Sequence, residues 1–241
     1  MQLYISSPHP CSYFPEREAK TLFIDPDAVK NSTLYGRLMD VGFRRSGKMI
    51  YRPKCDRCQA CISIRIPVAD FQPRRIQRRI HKKLVADVEV TELPATFNSH
   101  HFELFRKYID GRHNDGEMAD TSEQGYIDFL GSHWGDSRFY EFRISGRLMA
   151  VAVTDRIPQG LSAVYTFFDP ELSHLSPGVY AVLWQIAECR RQGLPWLYLG
   201  YWIGECRKMA YKTDYRPFQA YSGSHWREYL EIPNKQNGSA Q

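Results

Sequence analysis

The sequence predicts an α+β fold in which helices flank a mixed β-sheet, with a cysteine-rich module at the N-terminus. Three strand-like segments follow one another at hairpin spacing in the second half of the chain. A strongly signalled helix and a further apolar strand come next, which predicts a crossover to a parallel strand. Before residue 70 the chain instead carries four of its six cysteines and is interrupted by prolines. We therefore expect a cysteine-rich, basic module over residues 1–80, a mixed domain over residues 81–233 and a flexible polar tail over residues 234–241.

The composition is that of a globular protein with a sizeable core. Its 241 residues are 43% hydrophobic and 24% charged, which excludes intrinsic disorder. No apolar run approaches the roughly 18 residues of a membrane span, and the N-terminus lacks a signal-peptide pattern. We expect a cytoplasmic protein that does not interact with membranes. In that reducing compartment, clustered cysteines are more often metal ligands than disulfides.

Three cysteines of the first module, Cys55, Cys58 and Cys61, have the C-x2-C-x2-C spacing of a loop that wraps one metal ion or cluster. Cys11 is the expected fourth ligand, with His9 as the alternative. Zinc and an iron–sulfur cluster both use four thiolates, so the spacing does not choose between them. The remaining interpretation is a set of small core residues without a metal.

A basic helix is predicted where the two parts of the chain meet, because Ile76, Ile80 and Leu84 recur at helical spacing. The other face carries only cations, namely Arg74, Arg75, Arg78, Arg79, Lys82 and Lys83. A solvated charged face usually contains acidic partners three or four residues away. Binding to a phosphate backbone is therefore favoured over a merely solvated surface, and membrane-surface binding is the weaker alternative.

The mixed domain is expected to begin with a strand and two helices, followed by an antiparallel meander of three strands. The turns of the meander are predicted at Ser145-Gly146 and around Pro158-Gln159-Gly160. The expected bounds are strand 85–93, helix 98–110 closed by Gly111, helix 121–132, and strands 138–144, 148–155 and 161–168.

The helix that follows the meander has the clearest end signals in the chain. Ser176 is the expected N-cap, Pro177 takes the first helical position and Gly193 lies just past the last turn. The next strand is expected to lie parallel to the third meander strand, because a helix of this length completes a right-handed crossover. The remaining elements are strand 196–200, helix 207–213 and strand 217–222.

This order of elements resembles the GNAT-like acyltransferase fold. That resemblance implies a splay between the strands on either side of the crossover helix, with the helix N-terminus and its unpaired N–H groups facing it. Ser176 and Gly178 would then face an anionic acyl carrier. Acetyltransferases of this fold hold coenzyme A with a glycine-rich turn, of which His174-Leu-Ser-Pro-Gly178 keeps one glycine. Another carrier, such as the CCA end of a tRNA, is therefore favoured.

Aromatic and cationic residues interleave after the crossover strand, where the splay is expected. They are Tyr201, Trp202, Lys208 and Lys212. Two interpretations stand side by side: the rings stack a terminal adenosine while the lysines bind phosphate, or these residues form an ordinary core and rim. His113, in a polar loop, is either a base or an exposed residue.

Seven motifs are spread over about residues 10–222. They are Pro10-Cys-Ser-Tyr-Phe-Pro, Gly42-Phe-Arg-Arg-Ser-Gly, Tyr51-Arg-Pro-Lys-Cys-Asp-Arg-Cys-Gln-Ala-Cys, Arg112-His-Asn-Asp-Gly, Val151-Ala-Val-Thr-Asp, Ser162-Ala-Val-Tyr-Thr-Phe-Phe-Asp-Pro and Leu199-Gly-Tyr-Trp-Ile. In these motifs the chain resembles the bacterial aspartate/glutamate leucyltransferases, relatives of the eukaryotic arginyl-tRNA–protein transferases. The resemblance implies transfer of leucine from leucyl-tRNA to proteins that begin with Asp or Glu, which marks them for degradation by the N-end rule. It also implies a metal or cluster on Cys11, Cys55, Cys58 and Cys61.

The chemistry implied by this resemblance needs no enzyme nucleophile and no cofactor, since the donor is already an activated ester. We hypothesise that Tyr165 or Asp169 lies near the amine, and that Arg44, Arg45 or Arg65 pairs with the acidic side chain of the acceptor. The alternatives are an arginyl-tRNA donor, an N-acetyltransferase that uses acetyl-CoA, and a non-catalytic RNA-binding protein. The sequence makes no prediction about oligomeric state.

Overall fold

An eight-stranded sheet organises the computed structural model, which describes residues 1–112 and 121–230. Within these ranges there are also a four-stranded sheet and a two-stranded hairpin. The polar tail over residues 234–241 and the loop that carries His113 lie outside the described residues. No helix in the described ranges has both the length and the apolar character needed to cross a bilayer.

The bounds of the elements are as follows. The strands are β1 (Leu3–Ile5), β2 (His9–Pro10), β3 (Glu18–Ala19), β4 (Thr21–Ile24), β5 (Arg44–Ser46), β6 (Met49–Pro53), β7 (Ile62–Pro67), β8 (Val88–Pro94), β9 (Asp136–Ile144), β10 (Arg147–Ile157), β11 (Gly160–Phe168), β12 (Trp196–Trp202), β13 (Phe218–Ser222) and β14 (His225–Tyr229). The helices are α1 (Ser32–Asp40), α2 (Arg75–Leu84), α3 (Ser99–Arg112), α4 (Glu123–Leu130) and α5 (Pro177–Arg191), with 3₁₀ helices η1 (Pro170–Leu175) and η2 (Arg207–Asp214).

The large sheet has the order β14-β13-β7-β12-β11-β10-β9-β8. Its strands are antiparallel except for the pair β11 and β12, which α5 connects. The predicted meander and crossover are therefore confirmed as a mixed sheet with flanking helices. The turn between β9 and β10 has positive φ at both Ser145 (50°) and Gly146 (77°), the geometry that matches the twist of a two-residue hairpin.

The sheet buries both of its faces against helices. On one face, Tyr180 and Trp184 of α5 pack on Phe142 of β9. On the other, Tyr126 of α4 packs on Phe139 of the same strand. Because successive side chains of a strand point to opposite faces, α5 lies on one side of the sheet and α4 on the other.

The ends of two predicted helices differ from expectation. Ser176 precedes α5 as predicted, but it has left-handed backbone (φ 59°) and its side chain makes no capping hydrogen bond. α3 does not close at Gly111 but continues through it to Arg112. A Cβ at Gly111 would lie 3.2 Å from Cγ of Pro170, so this glycine permits close packing of the helix on η1 instead of ending it.

The segment expected to form an N-terminal module over residues 1–80 also contributes to the large sheet. β7, from the expected N-terminal module, lies inside the large sheet between β12 and β13. Its Ile64 and Ile66 are fully buried with Leu183 and Ile186 of α5. The N-terminal part of the chain thus supplies a central strand of the mixed domain.

The four-stranded sheet, in the order β1-β4-β6-β5, and α1 form the rest of the N-terminal part. Together they bury Tyr35, Met39 and Phe43 against Tyr198 of β12. The neighbouring Leu197 and Leu199 pack with α5. The N-terminal part therefore covers the face of the large sheet that is opposite α5.

Candidate functional site

The parallel strands β11 and β12 pair over only three residues. The pairs are Gly160↔Trp196, Leu161↔Leu197 and Ser162↔Tyr198. β11 then continues to Phe168 and β12 to Trp202, but within the described residues the two strands do not pair with each other beyond this point. They diverge and leave an opening in the sheet, which we call the splay.

The first turn of α5 lies at the open end of the splay. η1 carries the chain from the end of β11 to Ser176, and a Cβ on Gly178 would lie 3.6 Å from the ring of Phe168, the last residue of β11. Backbone N–H groups and the positive end of the helix dipole favour an anion at such a position. The structure therefore brings Ser176 and Gly178 to the predicted place.

Tyrosines from three elements line the other side of the splay. Tyr108 of α3 and Tyr165 of β11 have ring centroids 6.4 Å apart, and Tyr165 packs edge-on to Phe129 at 5.5 Å. Tyr211 of η2 is 48% exposed. Burial of its hydroxyl and the nearby Tyr108 raise the pKa of Tyr211 to about 12. We call Tyr108, Tyr165 and Tyr211 the tyrosine wall.

Neither residue predicted to lie near the amine is suited to accept a proton. Burial, followed by Tyr108, raises the pKa of Tyr165 well above its ordinary value. Asp169 accepts hydrogen bonds from Lys107 (2.9 Å), from Nε of Arg147 (3.0 Å) and from the Glu171 N–H (3.1 Å). Burial alone would raise the pKa of Asp169, but the two cations hold it below the ordinary value. The expected catalytic role of Asp169 is corrected to an ion pair that also caps η1.

Arg45 is fully engaged inside the protein, so its predicted role in binding substrate is wrong. Its Nε and Nη2 donate to the two carboxylate oxygens of Asp155 at 2.6 and 2.7 Å. Nη2 also donates to Leu130 O at 2.9 Å, and Nη1 donates to Gly131 O at 3.1 Å. The Arg45 side chain has no exposed surface.

Arg65 is engaged as well. Its Nε donates to Gln219 at 2.9 Å and its Nη1 to Asp40 at 3.2 Å. Its guanidinium lies between the rings of Trp196 and Trp226, at 3.7 and 4.2 Å from their centroids. The predicted role in substrate binding is therefore corrected to an intramolecular one that fastens α1 to the large sheet.

Arg44 differs from the other two candidate arginines. It is 5% exposed, and within the described residues only its Nη1 has hydrogen-bond partners, the carbonyl oxygens of Phe43 (2.5 Å) and Met39 (3.4 Å). Its Nε and Nη2 are buried and have no hydrogen-bond partner in that part of the chain. No ion pair among residues 1–112 and 121–230 includes Arg44. An arginine edge of this kind costs free energy until an anion occupies it.

The residues after β12 are placed differently from the prediction. Lys212 is only 9% exposed and donates from Nζ to Tyr201 O at 2.8 Å, so its predicted phosphate contact at the surface is wrong. Tyr201 is buried, and its hydroxyl donates to Gly42 O at 2.9 Å, which leaves no open ring face for stacking. Trp202 is half-buried against the core beside α5. Lys208 is exposed, as a phosphate contact requires.

The basic helix α2 packs on α5 and keeps most of its cations in solvent. His81 of α2 lies against Tyr180 of α5, with ring centroids 6.2 Å apart. Arg74 forms an ion pair with Asp214, and Nη1 of Arg78 donates a hydrogen bond to the backbone oxygen of Pro73 at 2.5 Å. The cations of α2 that are exposed and make neither an ion pair nor a hydrogen bond from their side chain in the described ranges are Arg75, Arg79, Lys82 and Lys83.

The four cysteines of the N-terminal part lie near one another. Burial raises the pKa of Cys61 to about 12, with further contributions from Cys11, Cys55 and Cys58. Four soft sulfur donors suit zinc or an iron–sulfur cluster. However, no three His, Cys, Asp or Glu side chains in the described part of the chain converge closely enough to hold a metal ion. The donor set fits such a group in its chemistry, and the positions of the thiols do not close on one ion.

Sequence reasoning missed two carboxylates that decide which arginine is free. Asp155 fills the edge of Arg45, and Asp40 pairs with Arg65 while accepting from the Tyr198 hydroxyl at 2.6 Å. Asp155 ends one of the seven motifs, which was the available signal. Tyr108 and Tyr211 were also missed, because a tyrosine in an amphipathic helix or a short 3₁₀ segment is typical of an ordinary core.

Comparison with known proteins gives a consistent result. Two family models match, "Arginine-tRNA-protein transferase, N terminus" over residues 9–79 and "Arginine-tRNA-protein transferase, C terminus" over residues 100–222. An aspartate/glutamate leucyltransferase of Pseudomonas aeruginosa is 51% identical over 94% of this chain and 96% of its own length. One of Alcanivorax borkumensis is 50% identical over 97% of this chain and 96% of its own, and one of Teredinibacter turnerae is 49% identical over 94% and 93%.

Proposed function

The chain belongs to the arginine-tRNA–protein transferase family, and we propose that it transfers leucine from leucyl-tRNA to the N-terminal amine of proteins that begin with Asp or Glu. It is an aminoacyltransferase. Its product carries leucine at the N-terminus, which serves as a signal for degradation by the N-end rule. All six cysteines are free thiols, as suits action in the cytoplasm.

The observation that carries this proposal is the position of the basic helix α2 beside the splay. α2 packs on α5, and the first turn of α5 lies at the open end of the splay. A tRNA whose acceptor stem contacts the free cations of α2 would bring its aminoacyl end toward that opening. The same splay and crossover favour a GNAT-like acyltransferase fold.

The reaction needs orientation more than a nucleophile. The α-amine nitrogen attacks the ester carbonyl carbon of leucyl-tRNA, and the bond between that carbon and the ribose oxygen breaks. The proton lost by the amine ends on the departing ribose oxygen, so the tRNA leaves with a free hydroxyl. The Gly178 N–H and the positive end of the α5 dipole would stabilise the negative charge on the tetrahedral intermediate, because the N–H groups of Ser176, Val179 and Tyr180 already donate within the chain.

The tyrosine wall is the proposed surface for the leucine side chain. Tyr165 packs among aromatic rings, and its raised pKa keeps its hydroxyl protonated, so it serves as an apolar wall. A surface of this kind suits the uncharged, branched side chain of leucine, whose burial against the rings is favourable. This supports leucine as the donated residue.

A metal or cluster on Cys11, Cys55, Cys58 and Cys61 is a further part of the proposal. When bound, it would fix the loop after β6 to the N-terminal hairpin, and no step of the transfer depends on it. Elemental analysis of protein purified without oxygen tests this: about one zinc, or several irons with sulfide, is expected. Replacing Cys58 with Ser should lower the bound metal and the thermal stability together.

A transfer assay tests the proposed activity. Purified protein receives tRNA charged with labelled leucine or labelled arginine, or labelled acetyl-CoA, together with peptides that begin with Asp, Glu or Ala. We expect label to move only from leucyl-tRNA and only to the Asp and Glu peptides. Transfer from arginyl-tRNA would overturn the choice of donor, and transfer from acetyl-CoA would overturn the proposed function.

A salt titration tests the contact between α2 and tRNA. We expect a variant in which Arg75, Arg79 and Lys82 become Gln to bind leucyl-tRNA more weakly. Its plot of log affinity against log salt concentration should be less steep by about 2 to 3, since each lost phosphate contact removes about 0.7 to 0.9 from the slope. Arg37→Gln and Lys48→Gln remove exposed cations elsewhere and serve as controls. Equal slopes for all the proteins would place the tRNA on another surface.

A further inference from the structure

Arg44 and Arg45 are adjacent in β5, but the Nε and Nη2 edges of their guanidinium groups have different surroundings. In Arg45, Nε and Nη2 donate hydrogen bonds to the two carboxylate oxygens of Asp155. In Arg44, the same edge is buried and has no hydrogen-bond partner. A guanidinium edge and a carboxylate match in a planar, two-bond arrangement. Arg45 therefore shows, within this protein, the kind of group that the Arg44 edge would accept.

Within residues 1–112 and 121–230, no negatively charged side chain pairs with Arg44. Its guanidinium lies 5.4 Å from the ring centroid of Tyr198 and 5.8 Å from that of Tyr201. Tyr35 and Tyr51 also lie close enough to influence it electrostatically. Burial in this tyrosine cage lowers the pKa of Arg44. The rings contact the faces of the cation, and its buried Nε and Nη2 edge makes no hydrogen bond within the described residues.

A second buried cation, Lys212, lies close enough to Arg44 for the two charges to interact. Burial lowers the pKa of Lys212 to about 8, and the charge of Arg44 contributes to the same shift. Its hydrogen-bond partner among the described residues is a neutral carbonyl, Tyr201 O. The Lys212 ammonium group packs closely against Gly200, whose φ is 77°: a Cβ at this position would lie 3.5 Å from Nζ of Lys212. Two neighbouring buried cations without a counter-ion are stabilised best by a shared anion.

We propose that the Nε and Nη2 edge of Arg44 and the ammonium group of Lys212 together bind the side-chain carboxylate of the N-terminal Asp or Glu of the acceptor protein. This inference rests on the proposed function and assigns the specificity of its acceptor site. Arg44 provides the planar two-bond contact and Lys212 the second charge. An Asn or Gln side chain is rejected because a neutral amide leaves both cations uncompensated in a buried place.

The position of Lys212 connects this acceptor site with the tyrosine wall. Lys212 directly follows Tyr211 in η2, and Tyr211 lies near Tyr108. The proposed acid-binding site and the proposed leucine surface therefore include neighbouring residues of one short segment. An acceptor residue whose side chain contacts Lys212 would hold its amine close to an ester bound beside Tyr211.

Binding measurements without tRNA provide the first test. Calorimetry would compare peptides that begin with Asp, Glu, Asn and Gln on the wild-type protein, Arg44→Met, Lys212→Met and the control Arg37→Met, which removes an exposed arginine. We expect the wild type and the control to prefer the acidic peptides. Each of the other two variants should lose about 10- to 100-fold in affinity for them, the range of a hydrogen bond to a charged group, and bind Asn and Gln peptides unchanged.

Single-turnover transfer from leucyl-tRNA provides the second readout. For Arg44→Met and Lys212→Met, the efficiency with Asp peptides should fall toward that with Asn peptides, while affinity for leucyl-tRNA stays at the wild-type value. Arg44→Lys keeps the charge without the planar edge, so it should retain the preference for Asp at reduced affinity. This variant also distinguishes a lost contact from a failure to fold.

Two results would overturn the inference. If the variants lost affinity for leucyl-tRNA while the ratio of Asp to Asn efficiency stayed constant, the two cations would bind a phosphate of the acceptor end. If the wild-type protein bound Asp and Asn peptides equally, the site would not read a carboxylate. Failure of all leucine transfer in the wild type, with the peptide preference intact, would instead overturn the proposed function and leave the acid-binding site standing.

Discussion

The buried pair of Arg45 and Asp155 should be a main determinant of stability. The perturbation we consider is Arg45→Met, which fills much of the same volume without a charge. It leaves the Asp155 carboxylate, whose side chain is 4% exposed, with one remaining donor, the Ser137 hydroxyl at 2.6 Å. It also takes a donor from the carbonyl of Leu130 and from that of Gly131.

The magnitude follows from these contacts. Removing one partner of a buried ion pair costs about 3 to 5 kcal/mol, because the other charge stays buried without compensation. For a protein of this size, about 4 kcal/mol corresponds to a fall of roughly 8 to 16 °C in Tm. Combining Arg45→Met with Asp155→Asn removes the buried carboxylate charge that Arg45→Met leaves without a counter-ion. The double variant should therefore be more stable than Arg45→Met alone.

Urea unfolding and thermal melting of Arg45→Met, Asp155→Asn, the double variant and Arg44→Met would measure these effects. Arg44→Met should unfold at the wild-type temperature or above, because it deletes a buried charge that has no counter-ion in the described part of the protein. The reasoning would be refuted if Arg45→Met lost less than about 1 kcal/mol, or if Arg44→Met lost as much as Arg45→Met.

Three further predictions concern the splay, the parallel strand pair and the pH dependence of stability. Tyr165→Phe should keep most of the leucine transfer and Tyr165→Ala should lose it, because the ring and not the hydroxyl forms the wall; equal losses in single-turnover rate would restore a role for the hydroxyl. Gly160→Ala should lower Tm strongly, since its Cβ would lie 2.2 Å from a carbonyl oxygen of β12, whereas Gly146→Ala, with nothing within 4 Å, should cost only the strain of its positive φ of 77°. Burial lowers the pKa of His101, outweighing its hydrogen bond with Glu141. As pH falls through about 6.5 the unfolded chain takes up this proton before the folded protein does, so the free energy of unfolding should fall. This slope should be smaller in His101→Gln.

The parts of the fold that the sequence predicted well are those governed by local signals. Ser145-Gly146 fixes a two-residue hairpin turn, and Pro177 and Gly193 mark the two ends of α5, so the meander and the crossover could be located within a few residues. The parallel pairing of β11 and β12 followed from the length of the helix between them. In each case the information lies within the segment itself.

The placement of β7 could not be predicted in this way. Its sequence, Ile62-Ser-Ile-Arg-Ile-Pro67, fits any half-buried strand, and its partners lie more than 120 residues away in β12 and β13. The nearby cysteines and prolines suggested a separate module instead. Pairing between distant strands depends on contacts that periodicity does not record, so the place of β7 in the large sheet could not be predicted.

The same limit applies to the three candidate arginines. Arg44 and Arg45 are identical neighbours in one motif, and as adjacent residues of a strand they point to opposite sides of β5. Arg45 meets Asp155, 110 positions away, whereas Arg44 enters a cage of tyrosines that offers aromatic faces and no carboxylate. The identity of the residue thus fixed the kind of anion, and the fold decided which arginine was left to bind it.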